Sequence, residues 1–173
     1  MAALALAGAG FAAGWFLRGD DETVETSATT AHSEAAPGGL PAVVERTRLA
    51  ILAAAESGDY DAVAGLADPN EFRYTFGSPV AGGPAEYWRQ LASDTPDRPL
   101  EILTTILRLP YTLYRGIYTW PFAFDKTPEE LTDYERGLLE PLGRAGVFVG
   151  ESYFGWRAGI RPDGRWIFFI AGD

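Results

Sequence analysis

The stretch Glu151–Asp173, ESYFGWRAGIRPDGRWIFFIAGD, decides how this chain folds. At its centre, Arg161-Pro162-Asp163-Gly164 predicts a turn. The proline ring fixes φ, and Gly164 can take the left-handed conformation that closes a bulged hairpin. With Arg161 opposite Arg165, one face pairs Ile160 with Trp166, Ala158 with Phe168 and Trp156 with Ile170. The other pairs Gly159 with Ile167, Arg157 with Phe169 and Gly155 with Ala171, so small residues oppose large ones. Trp166–Ala171 carries no polar side chain on either face, so both sides of that strand are expected to be covered. Left bare, WIFFIA would be a site of aggregation. Tyr153, Arg157 and Phe169 fall together on the second face, with Asp173 near Tyr153 and in diagonal reach of Arg157. An arginine in such a setting stacks its stem on a ring with its head in water, or it meets a carboxylate, phosphate or ring of a ligand.

Towards the N-terminus, PAVVERTRLAILAAAESG reads as a helix with Pro41 at its first position. Val44, Thr47, Ile51, Leu52 and Ala55 form its apolar stripe, and Gly58 is its stop. Asp59 is placed to cap a short helix with Tyr60, Val63 and Leu66 inward. Asp68-Pro69-Asn70 predicts a turn. The alternation in Glu71–Gly77, EFRYTFG, predicts a half-buried strand. A further helix begins at Pro84. Between Pro99 and Pro110 the apolar residues Leu100, Leu103, Ile106 and Leu107 keep helical register, while paired threonines leave a strand open as the alternative. Arg115–Trp120 reads as a strand ended by Pro121. Thr127-Pro128-Glu129-Glu130 has the form of a capping box opening a helix that ends near Pro141–Gly143.

The 173 residues, 47% of them hydrophobic and 22% charged, suit one folded domain with additional sequence. A formal net charge of −10 provides no basic footprint for nucleic acid and disfavours peripheral docking on anionic lipid. With no cysteine, disulfides, thiol chemistry, iron–sulfur clusters and cysteine zinc sites are excluded. The single histidine, His32, lies in a Ser/Thr/Ala-rich tract, which argues against catalytic triads, histidine bases and multi-histidine metal sites. No cofactor is expected. Among the acids, Glu129 and Glu130 are explained as helix-start charges and Asp163 as a turn residue. Asp125 and Glu151 remain beside aromatic runs, with solvated or structural roles the simpler reading.

Met1–Leu17 carries no charge and is closed by Arg18. As a helix it would measure about 26 Å against a hydrocarbon core of about 30 Å, with Trp15 and Phe16 at interfacial depth. A transmembrane signal-anchor helix is expected over 1–18, a cleaved signal peptide or a buried helix being the alternatives. A disordered acidic linker is expected over 19–39 and the folded α+β domain over 40–173. Arg18 favours a cytoplasmic domain, whereas the Ser/Thr/Ala-rich linker resembles an exported stalk. The expectation is a single-pass protein of the cell membrane with its domain outside. Its partners would be the lipid bilayer and a second copy, to which the Gly10/Gly14 spacing points, or another envelope protein.

Two helices joined at GDYDAVAGLAD, a strand and loop after them, and a closing strand–DGRW–strand hairpin resemble the nuclear-transport-factor-2-like, cystatin-related α+β superfamily. YTWPFAF, FGWRAGI and FIAGD are similar to stretches of exported or membrane-anchored bacterial proteins. The resemblance implies a curved antiparallel sheet wrapped around a helix, with a conical cavity between them. Its members include isomerases, dehydratases, ligand binders and dimerisation modules, so the fold alone does not assign an activity. Its catalytic members place Asp, His or Tyr in the cone. This domain has no histidine, and no catalytic residue carries over. The aromatics are too numerous to be all core, and Tyr and Trp need partners for their polar tips. Tyr74, Trp88, Tyr118, Trp120, Tyr153 and Arg157 are therefore the expected ligand-binding set. The expected function is non-catalytic binding of a small apolar or aromatic ligand or of a protein partner. A small isomerase or hydrolase using Tyr with Asp or Glu, and a dimerisation or assembly module, are the alternatives.

Overall fold

A computed structural model describes residues 39–172. The membrane helix expected over 1–18, nearly all of the linker expected over 19–39, and Asp173 lie outside them. No helix among the described residues is long and apolar enough to cross a membrane. The domain is α+β, with helices packed against an antiparallel sheet.

Helix α1 (Ala42–Glu56) buries Val44, Ile51, Leu52 and Ala55. Pro41 stands just before it as the cap rather than inside it, and Gly58 follows its end at φ +74°. Helix α2 (Tyr60–Ala64) is capped by the Asp59 carboxylate, which accepts from the N–H groups of Asp61 and Ala62. Val63 points inward, but Leu66 does not: the helix stops at Ala64, and Leu66 is exposed on the turn that follows. Helix α3 (Gly83–Asp94) buries Ala85 and Trp88. Helix α4 (Pro99–Arg108) buries Leu100, Leu103, Ile106 and Leu107 and packs on α1. The threonines that kept a strand open there are absorbed by the helix, Thr104 and Thr105 donating to the carbonyls of Leu100 and Glu101.

The main sheet comprises β1 (Thr112–Tyr114), β2 (Ile117–Trp120), β5 (Arg157–Ile160) and β6 (Trp166–Ile170), in the order β1-β2-β5-β6, each pair antiparallel. A separate hairpin joins β3 (Phe148–Val149) to β4 (Ser152–Tyr153). The strand expected over Arg115–Trp120 begins two residues late. Arg115 (φ 49°) and Gly116 (φ 79°) form a two-residue hairpin turn with β1 on its other side.

The strand expected over Glu71–Gly77 does not form. The inward set holds through Tyr74 and breaks at Phe76, which is exposed, and the segment meets β6 through an isolated parallel bridge at Arg73. The Asp68 carboxylate accepts from the N–H groups of Asn70 and Glu71, bending the chain so that it touches β6 at points rather than along a ladder. Those points occupy the outer edge of β6. Asp68 N–H donates to Trp166 O (2.9 Å), Arg73 N–H to Ile167 O (2.9 Å), and Phe169 N–H to Arg73 O (3.0 Å).

The closing hairpin turns at Gly164 (φ 88°), with Arg161 N–H donating to Arg165 O (2.9 Å) and Gly164 N–H to Arg161 O (2.9 Å). Ile160 faces Trp166 as the turn predicts. Beyond that pair a bulge shifts the register by one, setting Gly159 against Phe168, Ala158 against Phe169 and Arg157 against Ile170. A one-residue slip exchanges the faces. Phe169 therefore joins Ala158, and Arg157 is not its neighbour across the ladder. Gly159 accommodates the shift: a Cβ there would lie 2.2 Å from the Phe168 ring. Both faces of β6 are covered, with Trp166, Ile167, Phe169 and Ile170 buried.

The segment after the sheet's second strand carries two successive start signals. Thr127–Glu130 closes a three-residue 3₁₀ turn (Pro128–Glu130), not the expected helix. Helix α5 (Asp133–Leu139) opens at the next box, Thr132 with Glu135, and runs on into a 3₁₀ stretch (Glu140–Gly146) broken at Gly143.

Candidate functional site

The six residues expected to bind ligand fall into three neighbourhoods. Tyr74 and Trp88 sit in the ring cluster on the helix side of β6. The Trp88 centroid lies 6.1 Å from Phe72, 6.2 Å from Trp166 and 5.6 Å from Phe169, and no surface of it is exposed. The Tyr74 hydroxyl accepts from Val80 N–H at 3.0 Å. Tyr118 and Trp120 flank Tyr111, at 5.5 and 5.7 Å. Tyr153 and Arg157 form the third group. The Tyr153 hydroxyl donates to Trp156 O (3.1 Å), and burial pushes it above the ordinary tyrosine range against the pull of the Arg157 charge. The Arg157 guanidinium lies 5.0 Å from the Phe124 ring and 5.6 Å from Phe76, with the residue 7% exposed. It is a packed cation between two rings, neither of which is the Phe169 expected from the simple register.

A different hollow assembles from segments that are distant in sequence. Pro110 closes α4 and feeds Tyr111 and Thr112 into the edge strand β1. The 3₁₀ turn Phe122–Asp125 follows β2, and α5 presents Tyr134, Glu135 and Leu138. Between them lies a groove of about 320 Å³. A second groove, of about 440 Å³, shares Pro110, Tyr111, Tyr134 and Leu138 with it and continues past Trp120 and Arg48. The smaller one lies at the low end of ligand-pocket volumes, about 300–1,000 Å³.

Its walls are Phe122, Leu138 and the rings of Tyr111 and Tyr134. One rim is an ion pair: Lys126, the chain's single lysine, places Nζ 2.5 Å from Glu135 Oε1 and 5.7 Å from the Phe122 centroid. Burial raises the Glu135 carboxyl, but the hydrogen bonds from Lys126 and from Thr132 outweigh it and hold it below its ordinary value. Thr112 also lines the groove. It is 4% exposed, and its Oγ1 is buried with no hydrogen-bonding partner in the protein. In the larger groove Arg48 is engaged by Glu45 (2.7 Å) and by Leu107 O (2.8 Å).

Among the described residues no cluster of three or more His, Asp or Glu could hold a metal ion. Asp125 and Glu151 are exposed. The buried carboxylate Asp68 is committed to its turn and faces Arg165 at 3.7 Å. Thr112, Phe122, Tyr134 and Leu138 were not legible as site residues. The signals that point to them are Arg115-Gly116 as a two-residue turn, which creates β1, and the second Thr-x-x-Glu box, which places α5. Comparison with protein-family models, with curated proteins and with solved structures finds no match to this chain.

Proposed function

We propose that the chain is a membrane-anchored, extracytoplasmic protein whose α+β domain, of the nuclear-transport-factor-2-like kind, is a non-catalytic binder of a small apolar or aromatic ligand. The groove between β1 and α5 is its binding site. The observation that carries this reading is the combination of three aromatic walls, an aliphatic floor at Leu138 and an internally neutralised ion pair in one hollow of ligand size. Such a site gains affinity from apolar contact and orientation from a few polar groups.

The test is an NMR titration of the whole protein with toluene, following the backbone amides of Thr112, Lys126 and Leu138. These should shift together and saturate. Leu138→Glu should weaken binding at least about tenfold, the loss of roughly 1.4 kcal/mol expected when an apolar contact is replaced by a charge. Shifts scattered over the surface, or binding indifferent to Leu138→Glu, would remove the site. Exposed Leu113 and Tyr134 beside the groove and Val147 and Val149 around the β3–β4 hairpin favour a second reading, docking of a protein partner or a second copy. A concentration-dependent sedimentation coefficient lost on Tyr134→Lys would support it.

A further inference from the structure

A separate hollow, of about 590 Å³, lies where the segment from Asn70 to Arg73 crosses the outer edge of β6, and its lining shares no residue with the grooves beside α5. Neighbouring side chains leave a strand on opposite sides. Phe169 faces Trp88 at 5.6 Å, whereas Phe168 lies on the other side against Gly159, where a Cβ would come 2.2 Å from its ring. The missing side chain lets the half-buried Phe168 ring settle on β5, with Ile117 and Ile167 beside it in the lining. Arg73 is the bridge partner of Phe168; its N–H donates to Ile167 O and its carbonyl accepts from Phe169 N–H. The isolated bridge thus anchors an arginine at the rim of an apolar floor.

The charges on this rim do not cancel. Its ionisable residues are Glu71, Arg73 and Arg161. Glu71 is held by other arginines, Arg161 at 2.8 Å and Arg165 at 3.5 Å. Arg73 is exposed, and among the described residues no carboxylate pairs with it. In a chain of net charge −10 the hollow therefore carries a local excess of positive charge. An ammonium would be repelled there, and an uncharged ring would leave the guanidinium without a counter-charge. A carboxylate matches the guanidinium fork with parallel, charge-assisted hydrogen bonds, and a planar body stacks on a phenyl ring. We infer that this hollow binds an aromatic carboxylate, its ring on Phe168, Ile117 and Ile167 and its carboxylate on the Arg73 guanidinium.

Naphthoate, the uncharged naphthamide and acetate are the probes, each titrated into the full chain with the Arg73, Ile117 and Phe168 amides followed by NMR. Naphthoate should shift these amides together and bind about fivefold or more tightly than naphthamide, since only the carboxylate forms a charge-assisted pair. Acetate, which has no ring, should bind more weakly than naphthoate. Arg73→Gln alters an exposed side chain and leaves both backbone hydrogen bonds of that residue in place. It should bring naphthoate down to the affinity of naphthamide and leave naphthamide unchanged. Arg46→Gln removes an exposed guanidinium on α1, outside the hollow, and should change neither affinity. Equal affinities for naphthoate and naphthamide, a preference that survives Arg73→Gln, or the same loss in Arg46→Gln would overturn the inference. Acetate binding as tightly as naphthoate would make Arg73 a contact for any small anion and would overturn it too. Shifts confined to Thr112 and Leu138 would place naphthoate in the groove beside α5, removing this hollow as a site and leaving that one standing.

Discussion

Gly164 combines two demands at one residue. Its φ of +88° lies where side chains rarely go, and a Cβ there would come 2.6 Å from Val43 Cγ2 on α1. Its carbonyl also accepts from Thr47, so the turn is tied to the first helix at 2.8 Å. Gly164→Val should therefore cost about 2 kcal/mol or more, combining left-handed strain with overpacking. A urea midpoint equal to wild type would refute this. Arg157 makes a different case. Held between Phe124 and Phe76, its removal in Arg157→Ala should lower stability by about 1–2 kcal/mol through lost stacking and stem packing. A mutant with unchanged melting temperature and impaired ligand binding would instead return Arg157 to the ligand set. Gly164 and Asp59 were readable because their requirements are local: a turn needs positive φ, and a helix start needs an acceptor. The surroundings of Arg157 were not readable, because they depend on a bulge several residues away.

The same contrast holds for whole elements. Helical spacing is a property of a segment by itself, which is why α1 and α4 were recoverable from their apolar stripes, while α3 was placed by its proline, Pro84. The alternation in Glu71–Gly77 holds for Tyr74 but not for Phe76, because it does not state what the backbone pairs with, and here it pairs at isolated points. TPEELTDYE contains Thr-x-x-Glu twice, and both boxes form; the second opens α5 because Leu131 and Thr132 adopt extended backbone between them. Thr132→Ala should cost about 1 kcal/mol, as loss of an N-cap does, read as a shifted denaturation midpoint. The same helix start gives a pH dependence. The Glu135 carboxyl is held below its ordinary value of 4.5 in the folded state, so its contribution is present above that pH and is lost as pH falls through the lowered folded value. Between neutral pH and strong acid, wild type should lose more stability than Glu135→Gln; parallel profiles of melting temperature against pH would refute this.

At the scale of the molecule, composition spoke mainly by exclusion. The absence of cysteine removed thiol chemistry, the single histidine and the negative charge argued against triads and nucleic-acid binding, and the apolar share pointed to a domain with a substantial interior. The ring cluster around Trp88, Trp166 and Phe169 provides that interior. The groove was hidden because its walls come from residues 110–112, 122–126 and 132–138, brought together by a two-residue turn and a helix start that are weak signals in isolation. A chain beginning at Gly39 keeps the whole of the buried core. It should unfold in one cooperative transition, with far-ultraviolet dichroism and tryptophan fluorescence changing together; separate midpoints would show that the domain needs the preceding sequence.

The flank of β6 is filled by Asp68 and Arg73, and its other side by β5. Both neighbours precede it along the chain. During synthesis the greasiest strand thus leaves the ribosome after the segments that will enclose it, and the time it spends unaccompanied is limited to its own docking.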